Sequence, residues 1–281
     1  MIIKTKIKIK IASLIFNLLK LFLPNLKQNS CLISKRRGIK WSLDLSEGID
    51  LSIYVFGCFE KETAKALKRI ISSDNYVLDI GANIGAHTLP IAAMLGKKGK
   101  VLAVEPTKFA FDKLKINLAL NENLSHFVKT YQIMLVDDCD FNHSKKLYSS
   151  WPITNNKQLG SHADHGGVLK SLENCSIETL DGFCERIQLS KLDLIKLDVD
   201  GAEAAVIRGG IKTLTKFHPI IIMELAPYVY ENETSFMSMI DSLKDLNYRF
   251  YYLNGKKIAN QNRDPIQSLV PKGSGLNVIA M

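Results

Sequence analysis

Two short blocks constrain this chain more than anything else in it: Val77-Leu78-Asp79-Ile80-Gly81-Ala82-Asn83-Ile84-Gly85-Ala86-His87-Thr88 and Val101-Leu102-Ala103-Val104-Glu105-Pro106. Each is an apolar run that ends near an acid, and the first passes directly into two glycines four residues apart. The 26 positions from Asp79 to Glu105 hold one strand-to-helix turn, one helix over about 84–95 and a second strand. That is a minimal βαβ unit, whose two strands run parallel.

Gly81 and Gly85 lack a Cβ, so the backbone there can come close to a ligand, and the loop opens onto a helix N-terminus with unpaired N–H groups. A dinucleotide site asks for G-x-G-x-x-G, whereas this loop is G-x-x-x-G with Asn83 in place of the second glycine. No Lys-Ser/Thr follows the glycines, so the loop is not a phosphate-cradling one either. What remains is a nucleoside that carries an amino acid instead of a phosphate, the shape of S-adenosylmethionine.

The first block resembles motif I of the class I methyltransferases, and Glu105 corresponds there to the acid that pairs with the ribose hydroxyls. A carboxylate suits two neighbouring hydroxyl donors because it accepts from both. Further on, Leu194-Ile195-Lys196-Leu197-Asp198-Val199-Asp200-Gly201-Ala202-Glu203, then Val206-Ile207-Arg208-Gly209-Gly210 and Pro219-Ile220-Ile221-Ile222-Met223-Glu224, are similar to the signature of the FkbM-type methyltransferases. Asp200 stands where that family usually carries Glu, which keeps the charge on a shorter side chain. The resemblance covers about residues 74–225 in ordered blocks. It implies an α/β, Rossmann-like domain: a mostly parallel seven-stranded sheet, helices on both faces and an antiparallel final strand. It places Asp79, Gly81, Asn83, Gly85 and Glu105 around the cofactor, and Asp137 and Asp138 where an acid or amide meets the adenine amino group. It implies O-methylation of a hydroxyl on a sugar, glycan precursor or other natural product. Methylation of nitrogen or another acceptor, and a nicotinamide-dependent oxidoreductase, are the alternatives.

Open α/β sheets bind ligands outside the carboxyl ends of their strands, so Asp198 and Glu224 are expected to face the reacting centre. Asp198 can orient the cofactor's amino group or accept the proton of an acceptor hydroxyl. Glu203, at a helix start, reads equally as a structural charge on the helix N-terminus. His162 and His165 are candidate general bases because histidine titrates near neutrality. With Asp164 they could also ligate a metal, but short loop clusters of this kind are more often coincidental, and no metal is expected. The Asn/Asp-Pro-Pro-Tyr/Phe loop of nitrogen methylation is missing, since the strand ends Asp198-Val199-Asp200-Gly201.

Charge divides the chain. Residues 1–43 carry ten Lys or Arg and no acid, although the whole has a net charge of +9, so the remainder is close to neutral. A near-neutral core argues against a nucleic-acid channel and for no specific nucleic-acid partner. Within the basic stretch Ile11, Leu14, Ile15, Leu18, Leu19 and Phe22 recur at helical spacing up to Pro24, too short a run to cross a bilayer. Residues 1–45 therefore read as a basic amphipathic segment before a methyltransferase domain at 46–281. The segment either lies on an anionic inner-leaflet membrane through residues 1–40 or packs on the domain or a second subunit. The expected location is cytoplasmic, peripheral at the inner membrane face if the helix binds lipid. The expected partner is a small-molecule or glycan acceptor; the oligomeric state is left open.

The five cysteines, Cys31, Cys58, Cys139, Cys175 and Cys184, show no metal-ligand spacing and read as free thiols. Residues 139–172 are polar and without period, a long insertion read as an acceptor-side loop. Helices are expected over about 60–71, 108–120, 203–217 (interrupted at Gly209-Gly210) and 234–246, with strands over about 127–135, 194–199, 219–225, 248–253 and 276–280.

Overall fold

The computed structural model describes residues 5–23, 26, 30–138, 146–149, 152–153, 168–230, 233–261, 263–272 and 274–281. The chain opens with helix α1 (Thr5–Phe22) and a hairpin, β1 (Cys31–Arg36) and β2 (Ile39–Asp44), followed by α2 (Gly48–Phe56) and α3 (Lys61–Ile70). Alternation begins with β3 (Tyr76–Ile80), α4 (Thr88–Ala92), β4 (Lys100–Val104), α5 (Lys108–Ala119), α6 (Glu122–Ser125) and β5 (Val128–Tyr131). Next come β6 (Ile133–Val136), β7 (Lys146–Ser149), β8 (Val168–Ser171), β9 (Ser176–Thr179) and α7 (Leu180–Arg186). The second half continues with β10 (Leu194–Leu197), α8 (Glu203–Arg208), α9 (Ile211–Phe217) and β11 (Ile220–Leu225). It closes with α10 (Glu233–Asp245), β12 (Phe250–Tyr252), α11 (Arg263–Ser268) and β13 (Leu276–Ala280).

Seven strands form one sheet in the order β12-β13-β11-β10-β3-β4-β5, in which β13 alone runs opposite to the other six, as the family resemblance implied. The chain winds outward from β3 to β5, then returns to lay β10 on the other side of β3. The carboxyl ends of β3 and β10 thus border the crevice where ligands of such sheets bind. Strand alternation sorts the side chains into two cores. Leu78, Ile80, Ile195, Leu197, Ile221 and Met223 face α7–α10, while Val77, Val101, Ala103, Leu194 and Ile222 face the N-terminal helices and hairpin. Asp79, Glu105, Lys196, Asp198 and Glu224 have the parity of this second set, so these five charged side chains lie on the face closed by the N-terminal half.

Several expectations are corrected. The helix expected over 84–95 is only α4, because Asn83 and Gly85 take positive φ of 50° and 91° and hold the chain in turns up to His87. The strand expected over 127–135 is two: β5 joins the main sheet, whereas β6 pairs with β9 in a separate ribbon. Within the polar insertion, β7 and β8 form an antiparallel pair, and Ile153 is buried with its N–H donated to Ser46 O at 2.7 Å. Where the helix breaks, Gly209 is required by close packing, since a Cβ there would overlap the Val136 carbonyl.

The basic leader is built into the domain. Phe16, Trp41, Leu43 and Leu45 are buried in the same core as Val77 and Val101. The six apolar residues read as one stripe are divided: Ile15 and Leu19 pack inward with Ala12 and Phe16, whereas Ile11, Leu14, Leu18 and Phe22 face solvent.

Candidate active site

The glycines that the sequence offers to a ligand are first required by the protein itself. Gly81 has φ of +80°, and a Cβ there would overlap the Asp198 carbonyl oxygen, so the motif loop and the end of β10 touch backbone to backbone. A Cβ on Gly85 would strike Leu89 and Leu114. The N–H groups of Gly81 and Ala82 both bond Val104 O, at 2.9 and 3.0 Å, which fastens the loop to the end of β4.

Glu105 follows β4 and is buried, with Oε2 accepting the Asn83 N–H at 2.9 Å. Its Oε1 accepts the Thr107 N–H at 3.0 Å and the Thr107 hydroxyl at 2.6 Å. Burial raises its proton affinity, against the pull of these donors. The carboxylate and the glycine loop therefore form one unit on one side of the domain.

The second unit is centred on Lys196, which is 3% exposed. Its Nζ donates to Asp198 Oδ2 at 2.6 Å. Across the ladder Lys196 pairs with Asp79, whose Oδ2 accepts the Thr88 hydroxyl at 2.6 Å and whose Oδ1 has no hydrogen-bond partner among the described residues. Burial works against the lysine's charge, but Asp198, Asp79 and Glu60 outweigh it and hold the ammonium firmly protonated. Glu60, left-handed at the start of α3, accepts from Thr63 and from Asn277, both at 3.0 Å. It also lies 3.6 Å from Nε2 of the buried His87. Burial raises the Glu60 pKa, yet His87, Lys196 and Asn277 together bring it below the usual carboxylate value.

Leu197 pairs with Met223, which leaves Asp198 and Glu224 side by side one residue further on. Glu224 lies against Gly275, where any Cβ would overlap its carboxylate. Burial, reinforced by Asp198, Glu60, Asp200 and Glu203, raises its proton affinity well above that of an ordinary glutamate. Asp200, left-handed with φ of 51°, is shifted the same way by burial, Asp198 and Glu203. Glu203 is occupied structurally: it accepts Val199 N–H at 3.1 Å, Gly201 N–H at 3.0 Å and Tyr230 hydroxyl at 2.8 Å, fixing the turn after β10.

Asp79, Gly81, Asn83, Gly85, Glu105, Asp198 and Glu224 thus lie at or just beyond the carboxyl ends of the neighbouring strands β3, β4, β10 and β11. Asp137 and Asp138 follow β6, outside the main sheet, and Asp137 is ion-paired with Arg208 at 2.6 Å. His162, Asp164 and His165 lie outside the described residues. Sequence reasoning missed Glu60, His87 and Lys196 as members of the site. A lone lysine inside the apolar run Leu194–Leu197 was the available signal, because a buried ammonium requires carboxylates around it.

The model of the Methyltransferase FkbM domain matches residues 79–250. The chain belongs to the FkbM methyltransferase family. A curated relative, the 2-O-methyltransferase NoeI of Sinorhizobium fredii, is 27% identical over 178 residues, covering 60% of this chain and 71% of the relative. The methyltransferase sdnD of Sordaria araneosa is 29% identical over 161 residues, which span 50% of this chain and 61% of that relative. A solved methyltransferase FkbM from Methylobacillus flagellatus KT superposes with a TM-score of 0.44 at 13% identity, covering 75% of this chain and 44% of that one.

Family membership makes the protein a methyltransferase that uses S-adenosylmethionine, and the nicotinamide alternative falls away. The residues present fit that cofactor. Glu105 and the backbone of the 81–87 loop would hold the adenosine side, while the acidic groups Asp198, Glu60 and Glu224 would face the cationic end. The unpartnered Oδ1 of Asp79 adds to that acidic set.

Proposed function

We propose that this methyltransferase transfers its methyl group to a hydroxyl oxygen of a sugar or glycan precursor. The observation that carries the reading is the pair of carboxylates at neighbouring strand ends, Asp198 held by Lys196 and Glu224 with its raised proton affinity. A hydroxyl must shed a proton as its oxygen is methylated, and a buried carboxylate with high proton affinity suits that task. The Sinorhizobium relative is named a 2-O-methyltransferase, which supports the same acceptor class.

The bound cofactor supplies an electrophilic methyl group on a sulfonium. Glu105 and the Asn83 backbone would hold the sugar end of the donor. Asp198, fixed in one orientation by Lys196, positions the amino group or the incoming hydroxyl. Glu224 takes the hydroxyl proton onto its carboxylate, next to Gly275. Alignment of donor and acceptor supplies most of the acceleration in such a displacement.

The test is transfer from methyl-labelled S-adenosylmethionine to a panel of oligosaccharides and nucleotide-activated sugars, with the product located by NMR. A methyl ether carbon is expected. Label on nitrogen, or none on any sugar, overturns the assignment. Glu224→Gln is expected to cut kcat by about 100-fold or more while leaving S-adenosylhomocysteine affinity nearly unchanged.

A further inference from the structure

Helix α1 presents two apolar faces, and only one of them is used. Ala12, Ile15, Phe16, Leu19 and Leu23 pack into the domain core, and the Ser13 hydroxyl donates to Ile153 O at 3.2 Å. The other face carries Ile7, Ile11, Leu14, Leu18 and Leu21 at spacings of four, three, four and three, the pattern of a continuous helical stripe. All five face solvent, Leu14 at 62% and Leu21 at 69% exposure. A run of large aliphatic side chains left in water along a whole helix marks an interaction surface.

We propose that this face docks on the surface of an anionic lipid bilayer. Charge decides between the occupants. The helix carries Lys6, Lys8, Lys10 and Lys20 and no acid, within a 43-residue segment that holds ten cations and no anion. Against a second copy of the same face, these lysines would meet their own kind with nothing to neutralise them. Anionic headgroups complement them, while the aliphatic stripe enters the boundary below the headgroups. Lys8 and Lys10, both exposed, stand beside the stripe, placed to reach phosphate. Spanning is ruled out by geometry as well as composition, since the inner face is already fixed to the domain; among the described residues no helix is long and apolar enough to cross a membrane.

The test uses the full chain with two kinds of vesicle, phosphatidylcholine alone and phosphatidylcholine mixed with phosphatidylglycerol. Co-sedimentation with the mixed vesicles is expected to exceed that with neutral ones by about tenfold and to fall as salt is raised. The double substitution Leu14→Glu with Leu18→Glu is expected to abolish binding without moving the unfolding midpoint, since both side chains are in water. Lys8→Gln with Lys10→Gln is expected to weaken it by about thirtyfold, at about 1 kcal/mol per lost cation. Equal binding to neutral vesicles, or binding that survives the glutamates, overturns the proposal. So does a light-scattering dimer that the glutamates dissociate, with no lipid binding in either form.

Discussion

A lysine in the middle of a strand is costly unless charges meet it, and Lys196 is met by Asp198, Asp79 and Glu60. Lys196→Met removes the cation and leaves those carboxylates facing one another in a dry site. A loss of about 3–5 kcal/mol in urea unfolding is expected, the usual penalty for breaking a buried pair. That loss should shrink as the pH falls, because the orphaned carboxylates can then bind protons. Glu47 behaves in the opposite sense to a paired acid. Its Oε2 is buried with no hydrogen-bond partner among the described residues, and burial pushes its pKa up to about 7 from 4.5. The folded protein therefore holds a proton that the unfolded chain releases. Stability from this group is complete below about pH 4.5, declines as the pH rises and is lost above about 7. Glu47→Gln should consequently stabilise the protein by about 1–3 kcal/mol near pH 8 and change little near pH 4. An equal effect at both pH values would contradict the assignment.

At the scale of elements, two asparagines do what a strand would otherwise do. Along the edge of β2 that faces away from β1, Asn121 Oδ1 accepts the Lys40 N–H at 2.9 Å and its Nδ2 donates to Lys40 O at 2.7 Å. One turn earlier on α5, Asn117 Oδ1 accepts the Ser42 N–H at 2.7 Å, and its Nδ2 donates to Ile84 O at 2.9 Å in the glycine loop. The hairpin, α5 and the cofactor loop are thereby joined through one fully buried amide. Asn117→Ala leaves the Ser42 N–H and Ile84 C=O unpaired. A loss of about 2 kcal/mol or more is expected, with faster amide exchange at Ser42 and weaker binding of S-adenosylhomocysteine. Unchanged exchange at Ser42 would sink the account. The elements themselves were legible to different depths. Apolar runs ending in acids located β3, β4, β10 and β11, because buried parallel strands need little but apolar side chains. The start of α4 was also written in the chain: Pro90 belongs in a first helical turn, although the apolar period begins earlier, at Ile84. Which ribbon β6 would join was not legible, since period two gives a strand's faces but not its neighbour.

For the molecule as a whole, charge suggested a boundary near residue 45 that packing does not respect. Net charge describes what a segment shows to water, and the ten cations of the leader are compatible with an inner side made of Phe16, Trp41, Leu43 and Leu45. The site shows the same limit: glycines and strand-end acids were readable locally, whereas Glu60 reaches both Lys196 and His87 only because the N-terminal half closes that face of the sheet. A shared core has a thermodynamic signature. If the leader and the sheet are one cooperative unit, a cavity made in the leader must destabilise the sheet by the same free energy. Phe16, 2% exposed, is the place to make it. Phe16→Ala is expected to cost about 3–5 kcal/mol. In a Trp151→Phe background, Trp41 fluorescence, reporting on the hairpin, and far-ultraviolet circular dichroism, reporting on the whole fold, should then move to lower urea together along a single transition. Two separated transitions, with only the fluorescence shifted, would mean that the leader unfolds by itself and that its burial contributes nothing to the catalytic domain.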